Sequence, residues 1–136
     1  MKKIILIALV FFWVAHAPGQ VIYISGATNG FIYRLNIVTC QYTSVTLVDR
    51  GLTDISFNPD GTLYGISTPG GLYKIDTLTG NTTFIYQFGS TQKFNSLTTS
   101  ADGILYSTGD QGRLYTYNNT TGIGNFLGLI GYNAAG

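Results

Sequence analysis

The sequence predicts an all-β protein made of four-stranded antiparallel units laid one after another. Three observations carry that expectation. The chain resembles itself at a spacing of 42 residues, turn signals cut it into short β-favouring runs, and beyond the N-terminal segment no stretch shows capped helical periodicity.

The self-similarity needs no gaps. Residues 52–93 laid over 94–135 give eleven identities in 42 positions. Asp60-Gly61 meets Asp102-Gly103, Leu63-Tyr64 meets Leu105-Tyr106, and Gly70 with Leu72-Tyr73 meets Gly112 with Leu114-Tyr115. Thr79-Gly80, Phe84 and Gly89 meet Thr121-Gly122, Phe126 and Gly131. An earlier partial copy places Ile22-Tyr23 where Leu63-Tyr64 stands, Gly30 to Tyr33 where Gly70 to Tyr73 stand, and Thr39-Cys40 where the others have Thr-Gly.

The elements follow in chain order. Met1-Lys2-Lys3, the apolar run Ile4 to Ala15 and the break "HAPGQ" form the three parts of a secretory signal peptide, expected over residues 1–19 with Gln20 starting the mature chain. Twelve apolar residues are too few for the roughly 20 a membrane-spanning helix needs. The partial copy, 21–51, begins at a second strand. The middle copy, 52–93, parses into strands 52–57, 62–67, 72–76 and 82–88, rich in Ile, Tyr, Phe and Thr. In its first strand Leu52, Asp54 and Ser56 alternate with Thr53, Ile55 and Phe57. "NPDG", "TPGG", "TLTGN" and "QFGS" supply the turns. The last copy, 94–136, repeats the parse at 94–99, 104–108, 113–118 and 125–130.

Four strands per roughly 42 residues is the size of a β-propeller blade. The expected fold is a partial, open β-propeller of about two and three-quarter blades spanning 20–136. The recurring "DG-x-LY" and "LY-x-D-x-x-TG" pattern resembles that of secreted bacterial propeller repeats, the broad NHL-like and YVTN-like group, over residues 21 to 136. The Gly-His and Trp-Asp marks of the best-known propeller repeat are absent. The resemblance implies binding or surface display, with enzymes among the relatives, and it transfers no catalytic residue. Rings of this kind need four to eight blades. Completion is therefore expected either from further C-terminal blades of a longer chain or from oligomerisation.

Composition narrows the chemistry. The chain has 136 residues, 10% of them charged, 18 glycines and no Glu, with a net charge of +1. No basic field favours nucleic acid. Loss of the leader removes the only His (His16) and the only Trp (Trp13), leaving Arg34, Arg50, Lys74, Lys93 and Arg113 against six Asp. The sole cysteine, Cys40, has no internal partner and is expected as a small buried hydrophobe at a turn or strand end.

Asn58, Asp60 and Gly61 alternate as in a calcium loop, but calcium takes six to eight oxygens and a distal acid, so a structural corner is expected and no metal or cofactor. Tyr64, Tyr73, Tyr106 and Tyr115 recur at fixed positions and are expected between blades. Tyr42, Tyr86 and Tyr132 lie outside that pattern and could offer an aromatic platform to a sugar. Asn81-Thr82-Thr83 and Asn118-Asn119-Thr120 match a glycosylation acceptor and read as turn chemistry. Asp54 is the acid best placed for catalysis, being inward on a first strand.

The expected function is a secreted or cell-surface, non-catalytic binding or scaffold domain with a protein or glycan ligand and no nucleic acid. The loops opposite the "DG" corners would carry it. Asn29, Arg50, Gln92, Lys93, Asp110 and Gln111 are the candidate ligand-binding residues, with Thr28, Thr68 and Asn133 beside them. The rival is a fragment of an exported propeller enzyme, of lyase, glycosidase or dehydrogenase type, whose active site lies in further blades. Without His, proton transfer near neutral pH lacks its usual agent.

Overall fold

The computed structural model describes residues 21–26, 29–89 and 91–132. The signal-peptide expectation, Thr28 and Asn133 lie outside the described residues. Among the described residues eleven strands form three antiparallel sheets, each a simple meander. The first sheet holds β1 (Val21–Ser25), β2 (Phe31–Asn36) and β3 (Gln41–Leu47). The second holds β4 (Asp54–Phe57), β5 (Leu63–Ser67), β6 (Gly71–Ile75) and β7 (Thr82–Gln87). The third holds β8 (Phe94–Thr99), β9 (Ile104–Gly109), β10 (Arg113–Asn118) and β11 (Ile123–Leu129). This is the expected partial propeller, and among the described residues its sheets do not close into a ring.

The same local chemistry builds each sheet. The last hairpin of each sheet opens on an Asx turn. Asn36 accepts from the Val38 and Thr39 N–H groups, Asp76 from Leu78 and Thr79, and Asn118 from Thr120 and Thr121, all at 2.8–3.2 Å. The turn then needs a left-handed residue, supplied by Gly80 (φ 78) and Gly122 (φ 71). Cys40 stands at the matching place with φ 54 and is exposed. The expectation of a buried Cys40 is thereby corrected: the repeat puts it at a solvent corner where its relatives are glycine.

A second set of equivalent bonds ties the loop before each sheet's last two strands to the residue that follows its last strand. The carbonyls of Gly30, Gly70 and Gly112 accept from the N–H groups of Val48, Phe88 and Ile130 at 2.9, 3.0 and 2.8 Å. Each last hairpin also carries one bulge, which leaves Val45, Ile85 and Leu127 unpaired at equivalent places.

Two apolar layers hold the sheets together. Between the first and second, Tyr23, Ile32, Val45 and Val48 meet Leu52, Leu63, Tyr73 and Ile75. Between the second and third, Tyr64, Ile66, Leu72, Ile85 and Phe88 meet Phe94, Leu97, Leu105, Tyr115 and Tyr117. Each of Leu52, Leu63, Tyr73 and Ile75 lies 42 residues before its counterpart in the next layer, so one packing solution is used twice.

Polar bonds join the inner strands. The Asp54 carboxylate accepts from the Leu97 N–H at 2.7 Å and from Ile55 at 2.8 Å. The Thr53 hydroxyl lies 2.7 Å from the Phe94 carbonyl, and the Ser56 and Thr99 hydroxyls are 2.9 Å apart. Farther out, Asn119 Nδ2 reaches Asn58 Oδ1 and the Gly103 carbonyl, both at 3.3 Å.

The "NPDG" stretch is a corner. Asp60 accepts from the Thr62 N–H at 2.8 Å, the Asn58 N–H donates to the Thr62 carbonyl at 2.8 Å, and Gly61 takes φ 83. The bond from the Thr62 N–H holds the Asp60 carboxyl below the ordinary carboxylate range.

Candidate functional site

The connections into the second and third sheets each reach the third strand of the sheet they enter, and this reach decides which candidate residues are free. Arg50, on the way into the second sheet, is half-buried. Its guanidinium carbon sits 4.0 Å from the centroid of the Tyr73 ring. Arg50 Nε donates to Asp49 Oδ1 at 2.9 Å and to Thr82 Oγ1 at 2.8 Å, while Thr82 Oγ1 donates to Asp49 at 2.6 Å. Arg50 beside it pulls the Asp49 carboxyl below its ordinary value, with Thr82 adding to the effect. Asp49 in turn raises Arg50.

Gln92 lies 42 residues after Arg50 and does the same job one sheet later. It is only 8% exposed. With its amide turned to satisfy its neighbours, its oxygen accepts from Arg113 Nε at 3.0 Å and Nη1 at 3.2 Å, and its nitrogen faces the Tyr115 hydroxyl at 3.3 Å. Tyr115 is the counterpart of Tyr73. The side chains of Arg50 and Gln92 are thus committed to joints between sheets.

The other candidates separate into two places. Asn29 sits on the β1–β2 loop, where its Oδ1 accepts from the Phe31 N–H at 3.1 Å and its Nδ2 faces the Tyr33 hydroxyl at 3.4 Å. Lys93, Asp110 and Gln111 come together on the third sheet. The Asp110 N–H donates to the Lys93 carbonyl at 2.8 Å, and the Lys93 N–H donates back to Asp110 Oδ1 at 3.2 Å. Gln111 projects from a 3₁₀ turn (Asp110–Gly112) with φ 65, in the left-handed region. Beside it, Gly112 passes against the Tyr132 backbone, leaving no room for a Cβ, and the Tyr132 side chain is exposed. Lys93, Gln111 and Tyr132 are therefore exposed side chains grouped around two tied loops.

Two other features were missed by sequence reasoning. A polar cleft of about 250 Å³ on the first sheet is lined by Arg34, Asn36, Thr39, Gln41 and Thr43. An apolar groove of about 290 Å³ lies on that sheet's outward face, lined by Ile24, Tyr33, Leu35 and Tyr42. The signal was present as strict alternation along β2, with Tyr33 and Leu35 facing one way and Arg34 and Asn36 the other. Tyr86, one of three tyrosines that could offer a platform, is packed between the second and third sheets, with its hydroxyl donating to the Gly124 carbonyl at 3.3 Å. Among the described residues no three of His, Cys, Asp and Glu lie close enough to hold one metal ion.

No family model matches the chain, and no curated protein matches it. Solved structures do. Dihydro-heme d1 dehydrogenase NirN, in complex with DHE, superposes with a TM-score of 0.54 at 12% identity, over 82% of this chain and 26% of that one. YCF48 bound to D1 peptide superposes with a TM-score of 0.52 at 12% identity, over 83% of this chain and 40% of that one. Both are β-propeller proteins with four-stranded antiparallel sheets, and the likeness is one of fold. The chain spans about a quarter and two-fifths of their lengths.

Proposed function

We propose that this β-propeller chain is an exported, non-catalytic binding module whose ligand sits on the loop face of the third sheet. The observation that carries the reading is the grouping of Lys93, Gln111 and Tyr132 around the two loops that Asp110 ties together. A rigid scaffold presenting exposed polar and aromatic groups on short loops is the usual geometry of recognition. The ligand is a protein segment. The propeller neighbour YCF48 was solved with a bound peptide, and Lys93 and Gln111 offer the donors and acceptors a peptide backbone needs. A glycan is the second reading, favoured by the exposed Tyr132 ring beside Gln111.

The enzyme reading has less to stand on. Its best acid, Asp54, already accepts two backbone N–H bonds, one of them across the sheet joint. Export rests on the basic, apolar and small-residue segments at the N-terminus.

The test is to screen the secreted protein on peptide and glycan arrays beside a Lys93→Ala/Gln111→Ala variant and a Tyr132→Ala variant. Peptide binding that falls in the first variant, with unchanged thermal unfolding, supports the reading. Glycan binding that falls with Tyr132 favours the second. Binding indifferent to all three residues, or a product found only inside the cell with Met1 retained, overturns it.

A further inference from the structure

The two outward faces of this molecule are the two halves of a joint that it already contains twice. On the second sheet, Leu63, Tyr73 and Ile75 receive the sheet before; on the third, Leu105, Tyr115 and Tyr117 do so. The first sheet carries Ile22, Tyr33 and Leu35 at those places, with Ile22 paired to Leu35 as Leu63 is to Ile75. Among the described residues no other sheet packs on this face; Tyr33 and Leu35 are half-buried, and Ile22 is 49% exposed where Leu63 is 1%.

The opposite half-joint is equally open. Ile32 and Leu72 are wholly buried against the next sheet, whereas their counterpart Leu114 is partly exposed. The bulge residues Val45 and Ile85 pack onto the next sheet, whereas Leu127 is 56% exposed. Tyr106 and Ile130 complete this face at the places of Tyr64 and Phe88.

One position sets the first sheet's face apart from its counterparts. Position 24 is Ile, where the other sheets have Gly65 and Ser107. A Cβ at Gly65 would run into the Leu52 side chain, which fills that space from the connection. Ile24 supplies on its own strand the bulk that Leu52 supplies there, and it lines the apolar groove with Tyr33, Leu35 and Tyr42. None of the residues named for either outward face is charged, so these side chains meet without burying an ion of their own.

We infer that two copies of this chain pack head to tail, the third sheet of each on the first sheet of the other. Each contact continues the joint seen between sheets within the chain, with Leu127 and Leu114 entering the groove at Ile24 and Tyr33. Two copies give six sheets, inside the usual ring size of about four to eight. The contact is heterologous and closes on itself about a two-fold axis, so it ends at two copies instead of growing into a filament. This inference does not depend on the ligand proposed above.

The experiment is light scattering on the purified chain, beside Leu127→Asp, Ile24→Asp and Leu129→Asp. Leu129 lies on the same strand and is exposed, but stands at the place of solvent-facing Gln87. The unaltered chain and Leu129→Asp should have twice the protomer mass. Leu127→Asp and Ile24→Asp should each weaken association at least roughly 30-fold, the size of a hot-spot loss. Mixing those two variants should recover association, because one intact half-joint comes from each. Circular dichroism matching the parent establishes that both variants fold, and both changes fall on exposed positions. A monomer at all concentrations, a dimer indifferent to Leu127→Asp, or a mixture that recovers nothing would overturn the proposal.

Discussion

Asp54 reaches across from one inner strand to the next, its Oδ2 taking the Leu97 N–H at 2.7 Å. The repeat gives the matching position on the third sheet to Ser96, so among the described residues this bond belongs to the joint between the second and third sheets. Asp54→Ala leaves a backbone N–H at a partly buried joint without its ionised acceptor. The expected cost is ~1.5–3 kcal/mol, read as a lower urea midpoint with an unchanged slope. A loss below about half a kcal/mol would show that water replaces the carboxylate.

The corner residues make a paired prediction. Gly80 and Gly122 share the same turn and nearly the same φ, yet a Cβ on Gly80 would strike the Leu47 carbonyl of the neighbouring sheet, whereas one on Gly122 would meet nothing within 4 Å. Gly122→Ala should cost only the left-handed backbone penalty, ~1 kcal/mol, and Gly80→Ala distinctly more. Cys40→Gly should go the other way, stabilising by up to ~1 kcal/mol, because it removes a side chain from a left-handed corner. Thermal unfolding of the three variants reads all of this, and equal losses for both glycines would contradict the contact.

The Arg50 clasp predicts a failure of conservative exchange. Its guanidinium carbon lies over the Tyr73 ring while Nε serves both Asp49 and Thr82. Lys cannot stack a flat fork on the ring or hold two acceptors in that geometry. Arg50→Lys should therefore lose nearly as much stability as Arg50→Ala. Because the group is one-third exposed, that loss should be only about 1 kcal/mol. Full rescue by Lys would reduce the clasp to simple charge.

Acid should loosen the molecule in a defined direction. Asp49, Asp60, Asp76 and Asp102 are all held below the ordinary 3.8, by Arg50, by the Thr62 N–H, by the Leu78 N–H and by the Ser100 hydroxyl in turn. A carboxyl depressed in the folded state binds fewer protons there than in the unfolded chain. Its contribution is complete above the ordinary value and is lost as pH falls through the folded value. Urea midpoints should hold from neutral pH to about 4 and fall below it. Arg50→Ala should make that fall shallower, since Asp49 loses the largest cause of its shift.

Burial separates two leucines of similar appearance in the sequence. Leu72 is wholly enclosed between the second and third sheets, and Leu78 is 92% exposed in a turn. Leu72→Ala should cost ~2–5 kcal/mol and Leu78→Ala less than ~0.5 kcal/mol. Denaturant titration distinguishes them, and similar losses would contradict the sheet joint.

By itself the sequence determined the number, order and approximate bounds of the strands, the antiparallel meander of each unit and the corners between them. Those features rest on chemistry a few residues wide. An Asx turn needs Asn36, Asp76 or Asn118 two and three positions before the N–H groups it binds, and Gly61 and Gly80 provide the positive φ that closes a turn. The tertiary structure alone decided which polar and aromatic side chains stay free. Gln92 resembles an open loop residue until Arg113 and Tyr115 close over it, and Tyr86 resembles a surface platform until Gly124 of the next sheet receives its hydroxyl. Those partners stand more than twenty residues away and meet only when one sheet packs on another. The alternation of a single strand shows that a face exists, but not what lies against it.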